Sequence, residues 1–254
     1  MEDSLELSNY LPISFKTKSE EEYVAFLWDA FQTNYKAEKY QFAFLAYHML
    51  TMSFVYFIVW QIRNNEPKDF EKATVGFGKD AEKALTEAAS PFAFSKLNER
   101  SILRFLKLIQ CDNSKIGTYS KLVDDRNDTA HPNGNIFYND QHSLDRKIIE
   151  ILRVVDEIQT HSKPVIEHCY ENFLAESHDD EEREYSATND QIREVLIHSH
   201  YLSQKDIELC IQCDPGPLMK RENYDTNAMV AINALHEDFK ALFDGDTAEN
   251  YPSL

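Results

Sequence analysis

The sequence predicts an all-α protein, and two observations carry that prediction. Six glycines and eight prolines are spread over 254 residues, too few to punctuate many short strands. Apolar residues recur at three- and four-residue spacing through most of the chain, while no stretch alternates convincingly at the two-residue period of a strand.

Residues 1–18 are polar and interrupted by Pro12, and read as a tail or loose arm. Ser19, with Glu22 at the third helical position, forms a capping box that opens a helix carrying Tyr23, Phe26, Leu27, Ala30 and Phe31 at core spacing. Tyr40 to Ile62 is the most hydrophobic run and long enough to cross a membrane. Gln41, His48, Thr51, Ser53 and Gln61 interrupt it and no topogenic charge pattern flanks it, so it reads as a central core helix. After a break at Asn64–Pro67, residues 68–89 resume a helix with Phe70, Ala73, Phe77, Ala81 and Leu85, loosened by Gly76 and Gly78.

Residues 94–110 have the pattern of one amphipathic helix. Ile102, Phe105, Leu106 and Ile109 form its apolar face, and Lys96, Arg100, Arg104 and Lys107 fall within an arc of about 80° on the other side. Such a stripe is either a solvated face, the commoner case, or a track for RNA phosphates. The net charge of −18 argues against a protein that coats nucleic acid non-specifically, yet residues 91–123 are locally basic, with Glu99 and Asp112 as their acids.

The next helix holds the informative stretch, Ser114 to Asn135. At about 100° per residue, Ile116, Tyr119, Val123 and Ala130 share a stripe that also carries Arg126 and Asn127, with His131 at its edge. Polar residues placed where core residues belong mark a functional or strained site. Pro132 disfavours helix at His131, so the imidazole is expected on the last turn, near solvent.

Ser143 opens a long helix with Leu144, Ile148, Ile151, Val155 and Ile158 as its buried stripe, which Pro164 should kink or divide. The like-charge run Glu176 to Glu184 reads as a linker, separating a domain over residues 1–178 from a small helical extension over 185–254. Within the extension, 189–199 and 204–212 read as short helices, with Ser203 capping the second. The turn at Asp214–Pro217 comes next, then a last helix from about Asn227 to Phe243.

The four cysteines follow no secreted spacing and the Met1 end has no signal-peptide pattern, so a cytoplasmic location is expected. His198, His200, Cys210 and Cys213 suggest zinc. However, His at i and i+2 on a helix point to nearly opposite sides, so no metal site is expected.

Arg126-Asn127-Asp128-Thr129-Ala130-His131 reads R-N-x-x-x-H and resembles the R-x4-H signature of HEPN-domain endoribonucleases. The resemblance covers roughly residues 20–175 in architecture but one motif in identity, and Asn133 stands where some members have Tyr. It implies a HEPN-like helical bundle that pairs as a homodimer and cleaves RNA without metal or cofactor. The ribose 2′-hydroxyl would attack the adjacent phosphorus, with Arg126, Asn127 and His131 as catalytic residues, and leave a 2′,3′-cyclic phosphate. It also implies a toxin or antiviral-defence effector held by a neutralising or activating partner, or else a member that has lost catalysis and serves as a dimeric scaffold.

Overall fold

The computed structural model describes residues 2–222 and 224–243. These residues are helical with no β-strand, the one extended pairing being an isolated bridge between Pro12 and Ser203. In order, the helices are α1 (Glu2–Leu5), α2 (Lys18–Lys36), α3 (Tyr40–Asn65), α4 (Pro67–Thr74), α5 (Lys79–Thr86), α6 (Glu99–Leu103), α7 (Asn113–Ala130), α8 (Gln141–Ser177), α9 (Thr188–Gln191), α10 (Gln204–Gln212), α11 (Gly216–Arg221) and α12 (Thr226–Leu242). Short 3-10 turns occupy Glu6–Tyr10, Pro91–Lys96 and Arg104–Ile109, and a π-helical segment, Ile192–His198, continues α9.

α3 lies at the centre. It is long and apolar enough to cross a membrane, but 83% of its most apolar window is buried inside the fold. Phe44, Tyr47, Leu50, Phe54 and Val59 pack there against Val24, Leu27 and Phe31 of α2 and Ile148, Ile151 and Val155 of α8. α8 runs unbroken through Pro164, its flanks held by buried Ile158, Val165 and Ile166. Pro164 therefore neither divides it nor ends it.

The apolar core divides along α8. Its first half belongs to the cluster around α3. From Ile166 onward, Tyr170, Phe173 and Leu174 pack with Leu196, Ile207, Ile232, Leu235 and Phe239 of the later helices. The acidic run after Ser177 is a short ordered turn, in which Arg183 donates from Nε to the Ser177 carbonyl and from Nη1 to Thr188. The two clusters meet at Asp206, a buried carboxylate accepting from Gln61 Nε2 (3.0 Å), Gln159 Nε2 (2.7 Å), and the Ser203 amide and hydroxyl (both 2.9 Å). Ser203 caps α10 as the sequence suggests, with Asp206 completing the box.

Several expectations need correction. Residues 2–13 are not a loose arm: Leu7 and Leu11 are fully buried, Tyr10 donates to Asp156, and the Ile13 amide donates to the Leu202 carbonyl. The α2 capping box is Thr17 with Glu20, two residues before the Ser19–Glu22 pair, because Thr17-x-x-Glu20 has the same chemistry and starts the helix earlier. Residues 68–89 form two helices, since Gly76 takes φ +95°, a left-handed conformation that ends α4. Residues 94–110 form not one amphipathic helix but a 3-10 turn, α6 and a second 3-10 turn, ending at Gln110 with φ +64°.

Candidate functional site

α7 begins at Asp112, whose carboxylate accepts from the Lys115 amide, and its buried side is Ile116, Tyr119 and Val123. Beyond Val123 the helix reaches the start of α3, where Gln41 Nε2 donates to the Thr129 carbonyl. There Thr129 is the buried residue and Ala130 is exposed, which corrects the expected stripe. The face carrying Arg126, Asn127 and Ala130 is therefore covered by the core at its amino-terminal half and open at its carboxy-terminal half.

Arg126 and Asn127 line a cavity of about 1020 Å3 bounded by α2, α3, α7 and residues 89–100. The acids flanking Arg126 in sequence are otherwise engaged: Asp124 pairs with Arg100 and Asp125 with Lys147 (3.1 Å). Arg126 pairs instead with Glu99 of α6 (Nη2 to Oε2, 2.8 Å) and remains 33% exposed. The same Glu99 oxygen lies 3.3 Å from Nε2 of His48, an imidazole buried in the middle of α3. Burial alone would raise the Glu99 carboxyl. The hydrogen bonds and charges of His48 and Arg126 outweigh burial and hold it below the usual carboxylate range. An ionised Glu99 accepts, so the His48 Nε2 carries the proton, and its Nδ1 is buried without a partner.

His131 is not on the cavity wall. It caps α7 in extended conformation (φ −82°, ψ 143°), its amide donating to the Asn127 carbonyl, and its side chain is exposed one turn beyond Asn127. The three motif residues thus share one end of one helix, with Arg126 and Asn127 turned into the cavity and His131 outside it.

The four basic residues of 94–110 are all exposed but do not form one track, because the helix meant to align them is broken. Arg100 stands at the cavity beside Arg126, whereas Arg104 and Lys107 line a separate groove of about 530 Å3 against the Gly76–Gly78 loop. Lys96 belongs to the preceding turn and lines neither.

No protein-family model, curated protein or solved structure matches the chain. Function therefore rests on the site itself.

The sequence reading missed His48 and Glu99. One signal was available: a histidine in the most apolar helix, where every buried polar side chain needs a partner. Nothing in the sequence names that partner, which lies 51 residues away. The zinc candidates go to unrelated duties. His198 faces the Phe15 carbonyl and Glu194, His200 is half-buried with its Nδ1 near the Asn65 amide, and Cys210 is fully buried. Among the described residues no group of three or more His, Cys, Asp or Glu is placed to hold a metal ion.

Proposed function

We propose that the chain is a HEPN-like helical bundle acting as a metal-independent endoribonuclease. The single observation that supports this best is the position of Arg126: spared by Asp124 and Asp125, it stands with Asn127 on a cavity wall one turn before an exposed imidazole. A guanidinium with one fork engaged by Glu99 keeps donors for a phosphate, and stabilises the charge that grows on its oxygens as the 2′-hydroxyl attacks. An imidazole transfers protons near neutral pH. One His131 per chain supplies a single such group, so the reaction needs a second copy to provide both acid and base.

A surface suited to pairing lies close by. Phe26 (64% exposed), Phe42 (60%) and Met49 (44%) stand on the outer side of α2 and α3, and Ile136 and Phe137 project from the loop after His131. Exposed large apolar groups on neighbouring elements are what an interface covers. The chain would work in the cytoplasm as a toxin or defence effector restrained by a partner.

A second reading, a dimeric scaffold without turnover, is favoured by the Arg126–Glu99 pair, which neutralises the cation the reaction needs. Incubating total RNA with the protein in excess chelator, followed by end-group analysis, separates the two. Wild type is expected to leave 2′,3′-cyclic phosphates and to arrest growth on expression, and Arg126→Ala and His131→Ala to do neither. Identical behaviour of all three proteins would remove the nuclease reading and leave the scaffold.

A further inference from the structure

The break within residues 94–110 scatters the basic stripe but brings two of its members back together. Arg104–Ile109 is a 3-10 turn, and side chains three apart on such a turn eclipse, so Arg104 and Lys107 stand one above the other. Both are exposed, and both line the groove of about 530 Å3 against the Gly76–Gly78 loop. Neither makes an ion pair or a hydrogen bond among the described residues, whereas Arg100, Lys115, Arg126 and Lys147 each hold a carboxylate. Among the described residues no aspartate or glutamate lines the groove. The chain has a net charge of −18, and even its Arg126 cavity is lined by Glu20 and Glu99. A concave surface with two cations and no acid is therefore set to receive an anion.

The rest of the groove is apolar and firmly built. Phe77 stacks on Phe105 (ring centroids 5.8 Å apart, planes at 17°), and Phe105 stacks on Phe70 (4.8 Å, 23°), a column that ties the loop to α4 and to the 3-10 turn. Leu108 is half-buried, and Val75 of the same lining is 81% exposed. Polar chemistry beyond the two charges is sparse. Arg104 and Lys107 only donate, and among the described residues Ser101 brings the one side-chain hydroxyl. The N–H groups of a base or the hydroxyls of a sugar would meet little that accepts. The volume lies within the roughly 300–1,000 Å3 typical of small-molecule sites.

We infer that this groove binds a small amphiphilic anion, its head on Arg104 and Lys107 and its apolar body along Phe77, Phe105 and Leu108. The Arg104 fork takes two oxygens of the head, and Lys107 adds a point charge. A carboxylate and a phosphate monoester satisfy the same pair of cations, so two kinds of ligand share this chemistry. The groove is separate from the Arg126 cavity, although α6 borders both, with Glu99 and Arg100 at the cavity and Ser101 at the groove. The inference requires neither RNA cleavage nor a second copy of the chain.

The test is calorimetric titration of the full chain with octanoate, octyl phosphate, 1-octanol and acetate, each below the concentration at which it aggregates. Saturable one-to-one binding of octanoate or octyl phosphate is expected. The double change Arg104→Gln with Lys107→Gln should weaken it about tenfold or more, the scale of losing a charge-assisted hydrogen bond. Phe77→Ala should weaken it comparably by removing apolar surface that the body covers. Binding of octanoate alone identifies a carboxylate site, binding of octyl phosphate alone a phosphate site, and binding of both a site that selects charge. Arg104 and Lys107 are exposed, so the double variant should melt with wild type, and circular dichroism checks that both variants fold. The inference is overturned if neither anion saturates, if 1-octanol or acetate binds as tightly as the better anion, or if either folded variant binds that anion unchanged. Displacement of bound octanoate by a 2′-O-methyl hexaribonucleotide would hand the groove to RNA and overturn it as well. Cleavage by wild type is scored separately with no amphiphile present, so the nuclease reading and this one fail in different assays.

Discussion

Replacing Glu99 by Gln tests whether the buried His48–Glu99–Arg126 chain holds α3, α6 and α7 together. The carboxylate is 17% exposed and its Oε2 serves both partners, at 3.3 Å from His48 and 2.8 Å from Arg126. A glutamine keeps the shape but loses the charge, and its amide carbon carries a single acceptor oxygen. Weakening a hydrogen bond to a charged group costs about 1.5–3 kcal/mol, and leaving the His48 ring without an acceptor adds to that cost. The Arg126 side is a third exposed, so solvent screening makes its share small. A total of about 2 kcal/mol is expected, seen as a shift in urea midpoint with unchanged slope and as a fall in Tm of roughly 4–8 °C for a chain this long. Because the folded Glu99 carboxyl lies below its ordinary value, this stability is present above the usual carboxylate range and is lost as pH falls through the folded value. The gap between wild type and Glu99→Gln should therefore narrow progressively as pH falls below the ordinary carboxylate range. In a cycle with His48→Leu, the coupling should reach about 1 kcal/mol. A variant within about 0.5 kcal/mol of wild type at pH 7, or additive behaviour with His48→Leu, would refute the chain as a structural element.

Other perturbations have equally definite outcomes. Asp206→Ala strands four donors at the junction of the two clusters and should cost about 3 kcal/mol or more, with limited proteolysis opening the 178–187 turn at a protease level wild type resists. Burial pushes the His200 imidazole down to about 4, so the folded chain refuses a proton that the unfolded chain takes from about pH 6.5 downward. Wild type should then lose up to about 3 kcal/mol between those values, and His200→Gln should flatten that limb of a stability–pH curve. The double change Phe26→Asp with Phe42→Asp touches exposed positions, so Tm should stay within a few degrees while any dimer seen by light scattering dissociates.

Much of this architecture was legible because local chemistry and tertiary packing agree. The apolar run of α3 has no polar face to offer solvent, and the structure buries it. The Ser203 cap and the last helix fall where side-chain chemistry puts them, as does the turn at Pro132. Errors arose where a local signal had a rival nearby. Thr17 and Ser19 both precede a glutamate by three residues, and the earlier pair wins, since its Glu20 is also fixed by Ser90 and Tyr201 from distant parts of the chain. Periodicity over 94–110 was real, for Ile102, Phe105, Leu106 and Ile109 are all buried, but 3-10 geometry satisfies it as well as one α-helix and scatters the basic residues. Of the site, the motif end of α7 could be read directly. Its link to His48 and Glu99 could not, because those partners come from α3 and α6, and only folding brings them together.

The continuous run of α8 bears on how the chain can be shortened. Thirty-seven residues at about 1.5 Å each make a rod of roughly 55 Å, and its far half is clothed mainly by the helices beyond the acidic turn. Stopping the chain at that turn, where charge alone suggests a seam, would strip Ile166, Tyr170, Phe173 and Leu174 to water and turn the rod's end into a sticky blade. A shortened chain that keeps this end of α8 covered must therefore retain α12.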